Sequence, residues 1–171
     1  MIFCLAKQQQ NEDHTVREKL VAEAKQEFWN RVHSLVKQKY ELAPVFAVEK
    51  LKAAYKAMVF EDISVEKAND MLITRLPVHT IDDQLMQYKY HSGFFFEGDI
   101  RTLDEILPVC DQRCQTLTYY GLSNDDIRAF ISQSRPLGID RAVPIGKSMD
   151  FSLIWDGYDL IRMMSRRISV I

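Results

Sequence analysis

Apolar residues recur at helical spacing in the first part of the chain and in short runs later. Residues 1–6, Met-Ile-Phe-Cys-Leu-Ala, form an unbroken apolar run that suits a buried strand, with residues 7–12 as a polar exit loop. Thr15-Val16-Arg17-Glu18 has capping-box spacing: the threonine hydroxyl caps the first turn and the glutamate reaches back to it. Behind it Val21, Ala24, Phe28, Val32, Leu35 and Val36 predict a helix through about Leu42. Ala43-Pro44 ends it, because the residue before proline avoids the helical region while proline suits a first turn. A second helix is predicted over residues 45–60, with Val48, Leu51, Ala54, Tyr55 and Met58 on its apolar face.

From residue 71 the pattern changes. Residues 71–76 and 93–97 read as strands, and residues 102–110 as a helix in which Thr102 and Glu105 stand at capping-box spacing. Residues 115–120 form a strand rich in β-branched and aromatic positions, closed by Gly121. Ser123-Asn124-Asp125-Asp126 opens a helix through about Ser134, Pro136-Leu137-Gly138 turns the chain into a strand over residues 140–145, and a last helix runs over residues 158–166. Two helices followed by alternating strands and helices predict an α/β fold: a single layer of mainly parallel strands with flanking helices. The expected organisation is one catalytic-domain region over residues 1–171, helical over about 14–60 and strand/helix over about 71–168. A chain that opens inside an apolar strand fits a region cut from a longer domain. It also fits a small α/β domain that begins on its first strand.

Composition narrows the function classes. With 47% hydrophobic residues, only 6 glycines and 5 prolines in 171 residues, the chain is globular. Its 22 basic and 24 acidic residues are intermixed, which gives no electrostatic reason to expect nucleic acid or an anionic membrane surface as partner. Arg162, Arg166 and Arg167 form a basic cluster that suits a helix C-terminus. The odd, sparse set Cys4, Cys110 and Cys114 points to a reducing, cytoplasmic setting, and the opening apolar run is too short to span a membrane.

Candidate chemistry is thin. Cys110 and Cys114, four apart, would share one helix face, but a metal site needs two further ligands that no nearby histidine or cysteine supplies, so no metal is expected and packing is the simpler reading. His14, His33, His79 and His91 are scattered, Asp82-Asp83 reads as a turn, and no glycine-rich phosphate loop is present. Cys4, among apolar neighbours, resembles a buried structural thiol more than an activated nucleophile.

One stretch carries a resemblance. Gly138-Ile139-Asp140-Arg141-Ala142-Val143-Pro144-Ile145-Gly146, then Asp150-Phe151-Ser152 and Trp155-Asp156-Gly157-Tyr158-Asp159-Leu160-Ile161, resembles the C-terminal part of the catalytic domain in LuxC-type acyl-CoA reductases of the aldehyde dehydrogenase superfamily. The order of elements over residues 71–166, including Gln115-Thr116-Leu117-Thr118-Tyr119, is similar as well. The resemblance implies a fatty acyl-CoA reductase. Such enzymes hold the acyl group as a cysteine thioester, transfer hydride from NADPH and release an aldehyde.

It further implies that residues 1–6 match the strand following the family's nucleophile. Cys4, the one catalytic candidate in this chain, then becomes a strand residue, and the nucleophile lies upstream of Met1. The superfamily's ribose-contacting glutamate would fall in residues 84–90, where there is none, so no cofactor contact carries over. Trp155 stands where members often show histidine. Asp140, Arg141, Gly146, Asp156 and Gly157 carry the motif and are expected to shape the domain rather than perform chemistry. The resulting expectation is a portion of a reductase, inactive as an isolated chain, that meets acyl-CoA in the full-length context and associates with itself or with an intact reductase. The rivals are a non-enzymatic interaction module derived from a truncated aldehyde dehydrogenase relative, and a small thiol enzyme using Cys4 directly.

Overall fold

The computed structural model describes residues 2–5, 14–60, 63–67 and 69–170, without the side chains of residues 2–5, 14–18 and 60. It is a mixed α/β structure that forms two compact units, Met1–Glu105 and Ile106–Ile171.

The first unit contains β1 (Ile2–Leu5), α1 (His14–Lys39), α2 (Pro44–Phe60), β2 (Glu66–Lys67), β3 (Thr74–Val78), a 3-10 helix over Asp83–Gln87 and β4 (Phe94–Ile100). The sheet order is β1-β4-β3-β2; β4 pairs in parallel with both β1 and β3, and β2 adds antiparallel at the edge. Alternation along the strands separates two faces. Leu76 and Val78 of β3 and Phe94 and Phe96 of β4 pack with Ala54 and Ala57 of α2. Arg75, Phe95, Glu97 and Asp99 point the other way, where Lys25 and Trp29 of α1 meet them. The sheet is thus covered by one long helix on each face, as parallel strands require.

The second unit contains the end of a 3-10 helix over Leu103–Val109, then β5 (Thr116–Tyr119), α3 (Asn124–Ser134), β6 (Arg141–Pro144), β7 (Ile154–Trp155), β8 (Tyr158–Asp159) and α4 (Leu160–Met164). β5 and β6 are parallel and joined through α3, with Ile127 and Phe130 of α3 buried. Ser123 and Asp126 form the full reciprocal cap of α3.

Several expectations are corrected. Among the described residues the strands form three small sheets instead of one layer. α2 does not bury the face with the most apolar residues: Val48 is 63% and Tyr55 58% exposed, while Lys50, Ala54 and Ala57 are fully buried. Small side chains let the helix approach the sheet closely, and that outweighs the larger apolar area available elsewhere on it. β3 begins at Thr74 because Met71 and Leu72 sit in a bend whose carbonyls bond to Lys50. The helix over residues 102–110 is 3-10, with Pro108 inside it, and Glu105 makes its half of the cap by accepting from the Thr102 N–H and hydroxyl, while the Glu105 N–H donates to the Thr102 carbonyl. The last helix is only Leu160–Met164, because Asp156 and Gly157 both adopt positive φ and turn β7 into β8. The loop over residues 7–12 lies outside the described residues, and the Thr15–Glu18 cap rests on side chains outside them. No helix among the described residues is long and apolar enough to cross a membrane.

Candidate functional site

In the second unit the motif residues do come together. Arg141, at the start of β6, projects onto the following loop: Nη1 donates to the Ser148 carbonyl at 2.9 Å, and Nη2 donates to the carbonyls of Lys147, at 3.2 Å, and Asp150. Its guanidinium lies 4.8 Å over the Trp155 ring, which stacks in turn on Phe151 at 5.6 Å. Asp156 (φ 49°) and Gly157 (φ 78°) form the two-residue hairpin turn, and a Cβ on Gly157 would sit 3.0 Å from Asp140 Oδ1. Glycine is needed there for both the left-handed backbone and the space. Gly146 (φ 85°) supplies a second left-handed turn beyond β6, in open space. Asp159 caps α4 through the Arg162 N–H at 3.0 Å. A guanidinium that donates to backbone carbonyls and stacks on an indole fixes a loop. In these contacts Arg141 holds the loop that follows β6, and Gly157 leaves room for Asp140.

Cys110 and Cys114 do not share a helix face. The 3-10 helix ends at Val109, just before Cys110, and the chain reverses so that the Cys114 N–H donates to the Asp111 carbonyl at 2.9 Å. Both are free thiols, Cys110 buried and Cys114 partly exposed. The neighbouring Cys114 thiol, together with burial, pushes the Cys110 thiol well above its ordinary range.

In the first unit Cys4 lies in β1 opposite Asp99 in the parallel register; its side chain is outside the described ones. Beside β1 stands a charge cluster that sequence reading missed. Glu97 of β4, with 3% of its side chain exposed, pairs with Lys25 Nζ at 2.8 Å and accepts from Arg75 Nε at 2.8 Å and Trp29 Nε1 at 2.8 Å. Arg75 also reaches Glu66 at 2.9 Å and covers the Trp29 ring at 4.8 Å; Lys25 also reaches Asp99 at 2.9 Å. Burial works to raise the Glu97 carboxyl, but the hydrogen bonds and charges of Lys25 and Arg75 hold it below the ordinary carboxylate range. With three donors on its two oxygens it stays ionised, held as the anion of a structural cluster. The signal was present: Arg75 and Glu97 are charges at odd positions of strands whose even positions, Thr74 and Gly98 apart, carry apolar side chains.

Lys50 is the second missed residue. Fully buried on α2, it donates to the carbonyls of Met71 at 2.6 Å and Leu72 at 3.1 Å, and burial brings its pKa down to about 8 against the opposing pull of Asp70. Asp70 in turn accepts from the Leu72 N–H at 3.1 Å and pairs with His33 of α1 at 2.8 Å. Gly93 closes the site: a Cβ there would lie 2.2 Å from the Leu72 carbonyl oxygen. A lysine of lowered pKa can serve as a nucleophile, but this one is enclosed and spent on two carbonyls.

Lys52 and Lys56 of α2 face Tyr88, Lys89 and Tyr90 across an open groove of about 210 Å³. Ligand pockets usually run to about 300–1,000 Å³, and a dinucleotide does not fit this one. No group of three or more His, Cys, Asp or Glu among the described residues is arranged to hold a metal. Compared with known proteins, the chain matches no family model, no curated protein and no solved structure.

Proposed function

We propose that this chain is a C-terminal portion of the catalytic domain of a fatty acyl-CoA reductase, and that it performs no reduction by itself. The observation that carries the reading is the Arg141 assembly. Of the residues in the resembling motif, Asp140, Arg141, Trp155, Asp156 and Gly157 meet where the loop after β6 and the β7–β8 turn come together. A motif whose members depend on one another structurally is a stronger resemblance than the same letters scattered on a surface. In this reading the acyl thioester cysteine and the NADPH site belong to other parts of the enzyme, and this chain supports them.

The test is to incubate the purified chain with a long-chain acyl-CoA, with and without NADPH, following acylation by intact mass and NADPH by absorbance. The expected result is neither adduct nor oxidation. A stoichiometric adduct on Cys4 would overturn the reading in favour of a thiol enzyme.

A second reading, a non-enzymatic interaction module, is favoured by one observation. Met149, Phe151, Leu153, Ile154, Met163 and Met164 of the second unit are all exposed, and an apolar run of that kind suits a protein contact. Sedimentation as a monodisperse monomer that does not bind an intact acyl-CoA reductase would remove it.

A further inference from the structure

The second unit also holds a pair of thiols in contact that the reductase reading does not use. At the end of the 3-10 helix the Cys110 N–H donates to the Leu107 carbonyl at 3.0 Å, and the chain turns back through Asp111–Cys114. Asp111 fixes that turn by accepting from the Arg113 N–H at 2.8 Å and Arg113 Nε at 2.8 Å. The reversal leaves the Cys110 and Cys114 side chains in hydrogen-bond contact, both as free thiols.

The turn cannot easily open. The Cys110 carbonyl accepts from the Gly138 N–H at 3.0 Å, and the Gln115 carbonyl accepts from Asp140 at 2.9 Å and Arg141 at 3.1 Å. Gly138 approaches so closely that a Cβ would stand 1.7 Å from the Asp111 carbonyl oxygen. The two sulfurs are therefore held side by side at the point from which β5 and β6 diverge. Cys110 is buried and Cys114 partly exposed, so Cys114 is the sulfur that a peroxide reaches first.

We propose that Cys110 and Cys114 form a reversible intramolecular disulfide, making this turn a site of thiol oxidation by peroxide. The Cys114 thiolate attacks one oxygen of hydrogen peroxide, the O–O bond breaks, and a sulfenic acid and hydroxide result. The Cys110 sulfur then attacks the Cys114 sulfur and displaces its hydroxyl, which leaves as water with the Cys110 proton. Two thiols and one peroxide become one disulfide and two waters, and the two electrons pass from sulfur to peroxide. The loop closed is only five residues long, so it adds little constraint to the unfolded chain. Such a bond is open to reduction by a small dithiol. The inference is independent of the reductase reading.

The experiment uses the full chain with Cys4→Ser, leaving these two thiols alone. After exposure of the folded protein to hydrogen peroxide, non-reducing intact mass and peptide mapping should show loss of two hydrogen atoms and one link between residues 110 and 114. Dithiothreitol should restore the mass. In the same background Cys110→Ala should leave Cys114 oxidised to sulfenic or sulfinic acid without the link. Two thiols that remain open to iodoacetamide after peroxide treatment, or a link formed only between chains, would overturn the proposal.

Discussion

In the first unit a carboxylate, Glu97, is buried in the middle of a parallel strand, and side chains from α1 and β3 converge on it. In the second, an arginine, Arg141, donates to backbone carbonyls six to nine residues along its own chain and lies over the Trp155 ring. The difference decides what each contact is worth. A backbone carbonyl released by Arg141 in a half-exposed loop can turn to water, so losing the contact costs little beyond the net bond. Lys25 and Arg75, with 22% and 17% of their side chains exposed, would keep only the outer carboxylates Asp99 and Glu66 if Glu97 were removed, and the Trp29 indole would lose its acceptor. The first unit is fixed by mutual dependence of side chains, the second by local shape.

Each unit carries one of the chain's two tryptophans, Trp29 in the first and Trp155 in the second, so fluorescence can report on them separately. The largest effect should follow Glu97→Ala, which leaves two cations without their shared anion. A loss of about 3–5 kcal/mol is expected from broken buried pairs, read from urea unfolding of Trp29 fluorescence in a Trp155→Phe background. A loss below about 1 kcal/mol, the range of surface pairs, would erase the contrast drawn here. Next comes Gly138→Ala, where the new methyl meets the Asp111 backbone. About 3 kcal/mol, the upper range for overpacking, should be lost from the transition reported by Trp155, with the Trp29 transition unmoved.

Arg141→Met should cost about 2 kcal/mol, as expected for a charge-assisted contact that shape partly replaces, and should shift the Trp155 emission because the ring loses its cation. Gly157→Ala should cost about 1 kcal/mol, the scale of a left-handed turn position filled by alanine.

The smallest effect is a slope. The folded-state pKa of Lys50, about 8, lies below its ordinary value of 10.5. Between those pH values the unfolded chain holds more protons than the folded one, so stability from this group rises with pH through that window. Unfolding midpoints of Lys50→Met, compared with the parent below and above the window, should lack that rise. An unchanged rise would show that Lys50 is not its source.

Much of the framework was readable. α3 announces itself through Ser123 and Asp126, α2 through Pro44, β5 through its β-branched and aromatic run, and β6 through the Pro136-Leu137-Gly138 turn before it. What failed to show had a common cause: local periodicity weighs apolar area, whereas packing weighs fit. α2 turned its small residues to the sheet and left Val48 and Tyr55 outside, and Lys50 was buried because two carbonyls of the Met71-Leu72 bend needed a donor. β8 was read as the first turn of the last helix although Asp156-Gly157 just before it is a strong two-residue turn signal. Of the site, the motif positions were found and their architectural role expected, but neither the Glu97 cluster nor the contact between Cys110 and Cys114 was, since both depend on where the chain turns back.

The reach of the Glu97 cluster has a consequence in time. Trp29 and Glu97 are 68 residues apart and Lys25 and Asp99 are 74, whereas the loop that Arg141 grips is complete within nine. Non-local closure is slow and local closure fast, and a chain emerging from the ribosome at about 5–20 residues per second presents α1 several seconds before β4 exists. Throughout that interval the face of α1 around Trp29 stands uncovered, so this helix, and not the later-made second unit, is where a chaperone would be needed first.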